Sequence, residues 1–293
     1  MKALPDAEVC IVGTGLMGTS LAKALRGYVR RLVGSDLSAV NRAAAAPSFD
    51  ALYTDLTPLA NADLIVLAIP VRAILSLLGK LPTIPVKAGA LILDIGGTKT
   101  DITAAMNRLP ETVFAIGGHP MCGKETSGPG DADGGLFVGC PFVLCPTERT
   151  TSDALTVARA LVEVIRARAI LLDPTTHDRA IAAISHLPYL VSASLVGAVM
   201  ELAEETPAAW ELAASGFRDT SRLAVSDVKM KGDALLTNRT AVIAALNALR
   251  TEIDMLHALL TSSDDVALRE KMESVRTARN TWAERAERTG KQP

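Results

Sequence analysis

Short, almost unbroken apolar runs recur through the first half of the chain: Val9–Val12, Arg31–Gly34, Leu64–Ile69, Ala90–Asp94, Val113–Ile116, Phe142–Leu144 and Ala169–Leu172. Most are rich in Val, Ile or Leu with little alternation, the pattern of strands buried on both faces of a mostly parallel sheet. Between them Thr19–Arg26, Pro70–Leu78 and Asp101–Leu109 carry helical spacing and read as crossover helices. This rhythm predicts a doubly wound α/β domain. After about Asp173 the strand signals stop, and nearly everything that follows reads as helix. The expected division is therefore an α/β domain over residues 1–173 and an all-α domain over 174–293.

Within the helical part, Val242, Leu246, Leu249, Ile253, Leu256 and Leu260 are spaced 4, 3, 4, 3 and 4 residues apart. Such a seam fits first a core helix of the second domain and, compatibly with that, a helix shared across a homodimer interface. The charged segment after Ser263 reads as a last amphipathic helix with Val266, Met272 and Val275 inward. Ala180–Met200 carries no Asp, Glu, Lys or Arg and is about long enough to span a bilayer. It also holds His186, Pro188 and the serines Ser185, Ser192 and Ser194, so a helix buried at the centre of the helical domain is expected rather than a membrane span.

Composition narrows the class. The 293 residues include 30 Lys+Arg against 32 Asp+Glu, a net charge of -2 that gives no bias toward nucleic acid or acidic lipid. Aromatics are only 3%, too few for a base-stacking surface, while 49% hydrophobic residues suffice for a packed core. The chain reaches Gly13 without a signal-like segment. Four cysteines in a chain of this length form no disulfide framework, so reduced thiols and a cytoplasmic location are expected. His119, Cys122, Cys140 and Cys145 fit no common zinc spacing, and no metal is expected.

Gly13-Thr14-Gly15-Leu16-Met17-Gly18 follows a strand and opens a helix, the context that gives GxGxxG its meaning. Gly13 permits the tight turn, Gly15 lets backbone approach a pyrophosphate, and Gly18 allows close helix–strand packing. The helix start at Leu16 and Met17 offers free N–H groups to the phosphates. Asp36, 23 residues after Gly13, is placed to accept from ribose hydroxyls and argues for NAD; the nearby Arg30, Arg31 and Arg42 leave NADP possible. Ile69 and Pro70, at the end of the third strand run, complete the expected cofactor-binding set. The domain is read as Rossmann-type.

Oxidation of an alcohol needs a group to take the hydroxyl proton, and histidine suits this near neutral pH. His119, in Gly117-Gly118-His119-Pro120-Met121 after the strand Val113–Ile116, is read as lying in a glycine-rich turn at the strand's C-terminal end, where open α/β sheets bind ligands. His177-Asp178 follows Pro174 and reads as capping or domain-interface residues.

Ordered motifs from Val9 to about Asn247 resemble the prephenate and arogenate dehydrogenases of tyrosine biosynthesis. They are GTGLMG, Asp94-Ile95-Gly96-Gly97-Thr98-Lys99, GGHPMCGKETSG from Gly117, LFVGCPFVLCPT from Leu136, His177-Asp178, Ser185-His186-Leu187-Pro188 and GFRDTSR from Gly216. The resemblance implies oxidation of a cyclohexadienol at its ring hydroxyl with loss of the ring carboxylate, giving a phenol, CO2 and NAD(P)H. Prephenate would give 4-hydroxyphenylpyruvate; arogenate would give tyrosine directly. It further implies His119 as the catalytic histidine and Arg222 as a carboxylate binder, with Asp219 orienting the arginine. His186 would line the substrate pocket and Glu125 would gate or tune it. The helical domain would be a dimerisation domain, making a homodimer.

Three positions depart from the family pattern. Where a serine is usual the chain has Gly97, and Thr98 or a water is the expected substitute in catalysis. Where a second histidine often follows SHLP it has Tyr189, and where tryptophan is common it has Lys231. Tyr189 and Lys231 are therefore expected at the substrate's side-chain end. These departures also leave room for a specialised paralogue using an amino-substituted prephenate. Small reductases such as pyrroline-carboxylate reductases share the two-domain outline without needing His119 and Arg222 together. A non-catalytic NAD-binding sensor would be favoured by Gly97 alone.

Overall fold

A computed structural model describes residues 1–124 and 126–288. Contacts divide the chain into two units, Met1–Ala241 and the residues from Val242 onward.

The first unit is built on an eight-stranded sheet of order β3-β2-β1-β4-β5-β6-β7-β8. Its strands are β1 (Glu8–Val12), β2 (Arg31–Ser35), β3 (Ala51–Tyr53), β4 (Leu64–Leu67), β5 (Leu91–Asp94), β6 (Phe114–Pro120), β7 (Pro141–Pro146) and β8 (Arg168–Leu171). The helices threaded among them are α1 (Leu16–Leu25), α2 (Ala39–Ala45), α3 (Val71–Lys80), α4 (Thr100–Asn107) and α5 (Ser152–Val164). All neighbouring strands pair in parallel except β6 and β7, which are antiparallel.

Successive side chains of a strand point to opposite faces. Val9 and Ile11 accordingly join Leu21, Leu25, Leu93 and Leu144 in one apolar cluster, while Cys10 and Val12 join Ile74, Ile92, Ile102 and Met106 in the other. Both faces are covered, which is why apolar residues fill successive positions of these strands and not only alternate ones.

Two strand expectations need correction. The sequence reading missed β3, whose three residues are too short for a periodic signal and are placed only by pairing with Val33–Ser35. It also ended the fifth strand at Ile116, whereas β6 runs on through His119 to Pro120. Gly117 and Gly118 are strand residues here, small because of crowding. A Cβ on Gly118 would stand 2.6 Å from the Asp94 carbonyl oxygen, and one on Gly117 would stand 3.0 Å from Thr103 Cγ2. His119 is thus a strand residue opposite Val143, not a turn residue.

Beyond β8 the unit continues with α6 (Pro174–Ile181), a π-helical turn (Ala182–His186), α7 (Leu187–Glu205), α8 (Ala208–Glu211), α9 (Ser215–Ser221) and α10 (Val228–Thr237). Asp173 caps α6 by accepting from Thr176 N at 2.9 Å, with Pro174 in the first turn. The helix Pro174–Glu205 is long and apolar enough to cross a membrane, yet only about a fifth of its most apolar window is buried, 22%. The expectation of a helix buried at the centre of its domain is not met within one chain, where Ile184, Met200 and Leu202 are exposed. An even distribution of apolar residues around α7 leaves one chain too little surface to cover them.

The second unit contains most of α11 (Arg239–Ser262) and α12 (Asp265–Arg288). Of the heptad seam on α11, Val242 is buried, but Ile253 and Leu260 are exposed. Val266, Met272 and Val275 on α12, expected inward, are exposed as well.

Candidate active site

The nucleotide-binding features gather at the C-terminal ends of the parallel strands, where the strand order reverses between β1 and β4. Gly13 has φ +98, and a Cβ there would lie 2.4 Å from the Ala68 carbonyl oxygen. A Cβ on Gly18 would overlap the Gly13 carbonyl oxygen at 1.9 Å, so both positions require glycine. Gly15 meets no atom of the described residues within 4 Å beyond its chain neighbours and its own helix's backbone, and α1 has no side-chain cap among them. The open glycine and the uncapped N–H groups of Leu16, Met17 and Gly18 form a cradle that fits a pyrophosphate.

Asp36 follows β2 and accepts from Thr14 N at 2.8 Å, Thr14 Oγ1 at 3.1 Å and Ser38 N at 2.8 Å. Partial burial opposes its ionisation, but the Thr14, Ser38 and Asn41 hydrogen bonds outweigh it and hold the carboxyl below its ordinary range. Thr14 ties this carboxylate to the glycine loop, a role the sequence reading missed. Arg30 and Arg31 lie away from this edge: both pair with Glu8 at the opposite, N-terminal end of the strands. Only Arg42 is close, donating to the Asp36 carbonyl. Ile69 packs against the Gly13 turn and Pro70 is the N-cap of α3.

His119 projects from the end of β6 beside this edge. Its Nδ1 lies 2.8 Å from His177 Nε2, and His177 Nδ1 lies 2.8 Å from Asp178 Oδ1. Burial, then the neighbouring His177 and Lys99, hold His119 well below the ordinary histidine value of 6.5, so it is neutral near pH 7. Asp178 also accepts from Lys99 N and Thr100 N, both at 2.8 Å, and thereby caps α4 from a distant part of the chain. The capping expected of His177-Asp178 is therefore real, but the helix served is α4. Its link to His119 had no local sequence signal.

The Lys99 ammonium is fully buried against the Asp94 carboxylate and donates to Gly118 O at 2.7 Å. It anchors the strand that carries His119.

His186 is buried and neutral: burial, then Lys231, lowers it to about 4. Asn238 Nδ2 bonds the Asp178 carbonyl oxygen at 2.7 Å, which fixes the amide's orientation, and it lies 3.3 Å from His186 Nδ1. His186 Nδ1 therefore accepts, and its Nε2 carries the proton.

Thr98 is the expected substitute for the family's serine. Its hydroxyl is buried and lies 3.0 Å from Thr237 Oγ1 of α10, and the position that faces His119 is Gly97. The half-buried Lys231 ammonium stands 5.5 Å above the Tyr189 ring. Arg222 is exposed at the end of α9, and Asp219 Oδ1 accepts from Arg218 Nε at 3.0 Å. Glu125 lies outside the described residues.

Comparison with known proteins decides the family. The description "prephenate dehydrogenase, nucleotide-binding domain" matches residues 21–171, and "prephenate dehydrogenase, dimerization domain" matches residues 173–274. The chain belongs to the prephenate dehydrogenase family. It is 33% identical over 266 residues to the prephenate dehydrogenase of Lactococcus lactis subsp. cremoris, covering 89% of this chain and 73% of that protein. Among solved structures it is similar to Synechocystis arogenate dehydrogenase, with TM-score 0.83 and 32% identity over 94% of this chain and 99% of that one. It is also similar to the Aquifex aeolicus prephenate dehydrogenase in complex with hydroxyphenyl propionate and NAD+, with TM-score 0.87 and 27% identity over 96% of this chain and 99% of that one. Family membership makes the chain a dehydrogenase with a nucleotide-binding domain for NAD.

Proposed function

We propose that the protein catalyses the oxidative decarboxylation of prephenate to 4-hydroxyphenylpyruvate with NAD. The observation that carries this reading is a neutral histidine, His119, at the end of β6, on the same C-terminal edge of the sheet as the glycine loop, in a chain of this family. NAD, when bound, supplies the hydride acceptor at the sheet's C-terminal edge. Gly15 and the N–H groups of Leu16, Met17 and Gly18 hold its phosphates, with Gly13, Ile69 and Pro70 shaping the crevice and Asp36 taking the ribose hydroxyls.

His119 Nε2 accepts the ring hydroxyl proton as the carbinol carbon is oxidised. Loss of the ring carboxylate as CO2 then makes the ring aromatic. His186, with its Nε2–H, donates to substrate oxygen. Arg222 binds a carboxylate by a two-point contact, and Lys231 with Tyr189 meets the side-chain end. Arogenate is the second reading, supported by the likeness to the Synechocystis arogenate dehydrogenase.

Residues 174–293 are read as the substrate and dimerisation domain, and the working form as a homodimer. The exposed apolar residues of α7 and α11 support this, since a second copy would cover them. Four free cysteines support a cytoplasmic location.

The test is NADH absorbance with purified protein, NAD, and prephenate or arogenate in parallel. Faster turnover of prephenate is expected. Turnover of arogenate alone would shift the assignment to the second reading, and turnover of neither would remove both.

A further inference from the structure

Among the described residues, the Asp178 carboxylate has only donors as hydrogen-bond partners. It accepts from His177 Nδ1, Lys99 N and Thr100 N. Burial raises its proton affinity, but the His177 and Thr100 hydrogen bonds outweigh that and keep it ionised. An ionised carboxylate can only accept, so His177 Nδ1 must carry a proton. In a neutral His177 the Nε2 is then a lone pair. His119 Nδ1, 2.8 Å away, must be the donor to it, and His119 Nε2 is left unprotonated. The rings meet edge to face, with centroids 5.1 Å apart and planes at 69°.

We propose that His177, backed by Asp178, is a positioning residue that holds His119 in the tautomer whose Nε2 is free to take the substrate's hydroxyl proton. This rests on the reading of His119 as the base, and it goes further by assigning the device that makes it one. As His119 gains a proton on Nε2, its Nδ1–H bond to His177 strengthens, and the new charge is stabilised along the chain toward Asp178. No proton need reach the carboxylate, as in other histidine–carboxylate pairs that orient a base. The titratable and charged groups facing His119 are His177 and Asp178 from α6, Lys99 ahead of α4, and His186 from the π turn. Only His177 is hydrogen bonded to it among the described residues.

His177 is nearly fully buried at 1% exposure, so the test pairs two variants. His177→Phe removes the acceptor. His177→Gln keeps an amide oxygen that can accept from His119 Nδ1 and an amide N–H that can donate to Asp178. Asp178 itself is a poor test site, because its loss also uncaps α4.

Nitrogen-15 NMR of histidine-labelled full-length protein at neutral pH reads the His119 tautomer without any turnover. The expected spectrum shows His119 protonated on Nδ1 in the wild type and in His177→Gln, with a shift toward the Nε2–H form in His177→Phe. In turnover, His177→Phe should lose about 10²-fold in kcat, in the range of misplaced acid–base groups, with the KM for NAD unchanged and much of the loss restored in His177→Gln. A wild-type His119 protonated on Nε2 would overturn the proposal. So would a His177→Phe enzyme with the wild-type tautomer and undiminished kcat. An absence of turnover by the wild type on both substrates would count against the proposed function, while the NMR result would still decide the tautomer.

Discussion

Gly97 faces His119: a Cβ placed on Gly97 would stand 3.9 Å from His119 Nε2, with no other atom of the described residues inside 4 Å apart from its chain neighbours. Like Gly15, this glycine could carry a side chain without displacing a neighbour. A serine there would put a hydroxyl beside the proposed base and the substrate oxygen it would serve. Gly97→Ser is expected to fold normally and to raise kcat/KM for the cyclohexadienyl substrate about tenfold, the value of roughly one well-placed hydrogen bond. Steady-state kinetics check this, and an unchanged or lower kcat/KM at normal thermal stability would show that the substrate needs the open position.

Lys231 stands over Tyr189 and meets no carboxylate among the described residues. Burial alone lowers its proton affinity, as befits a half-buried ammonium awaiting an anion. Lys231→Met should raise KM for prephenate about tenfold or more, as for loss of a charge-assisted hydrogen bond. The effect on arogenate, whose side chain carries an ammonium, should be smaller. Equal KM changes for the two substrates would take Lys231 out of side-chain recognition.

The pH profile follows from the histidines. His119 lies well below 6.5, so its unprotonated form persists through neutrality and the acid limb of kcat/KM should fall below pH 6.5. Folding stability carries the same sign. His119 and His186, the latter near 4, bind protons more readily in the unfolded chain, whose histidines titrate near 6.5. Stability should therefore be flat in their range above 6.5 and decline as pH drops below it. Denaturant titrations across pH 5 to 8 measure this, and a stability that rises on acidification through that window would contradict it.

Asp36 holds the glycine loop through Thr14 and carries the ribose contact proposed above. Asp36→Asn should raise KM for NAD about tenfold, the scale of one charge-assisted hydrogen bond. It should also narrow the preference over NADP by removing the charge that repels a 2′-phosphate. An NAD to NADP ratio unaffected by the change would place cofactor selection elsewhere.

Lys99 and Asp94 form a fully buried ion pair beneath β6. Lys99→Met strands the carboxylate and should cost about 3–5 kcal/mol of stability, typical of a broken buried pair. Chemical denaturation reads this directly, and a loss below about 1 kcal/mol would mean that the Gly96 and Gly118 N–H groups suffice for Asp94.

Much of this protein is determined by its sequence alone. Runs of Val, Ile and Leu mark strands covered on both faces, because such burial leaves no polar position to interrupt them. Gly13, Gly15, Gly18 and Asp36 declare the dinucleotide turn, since their steric and charge requirements act over a few neighbouring residues. His119 is legible as a candidate for the same local reason. Tertiary structure decided the rest. It carried β6 through two glycines that look like turn residues, because crowding by Asp94 and Thr103 leaves no sign in the local pattern. It also turned Thr98 toward Thr237 and left Gly97 facing the histidine. Above all, it brought His177 and Asp178 against His119, Lys99 and Thr100 across separations of 58 to 79 residues. Hydrogen-bond direction along that chain depends on which groups meet in space, and no periodicity or spacing in the sequence records such a meeting.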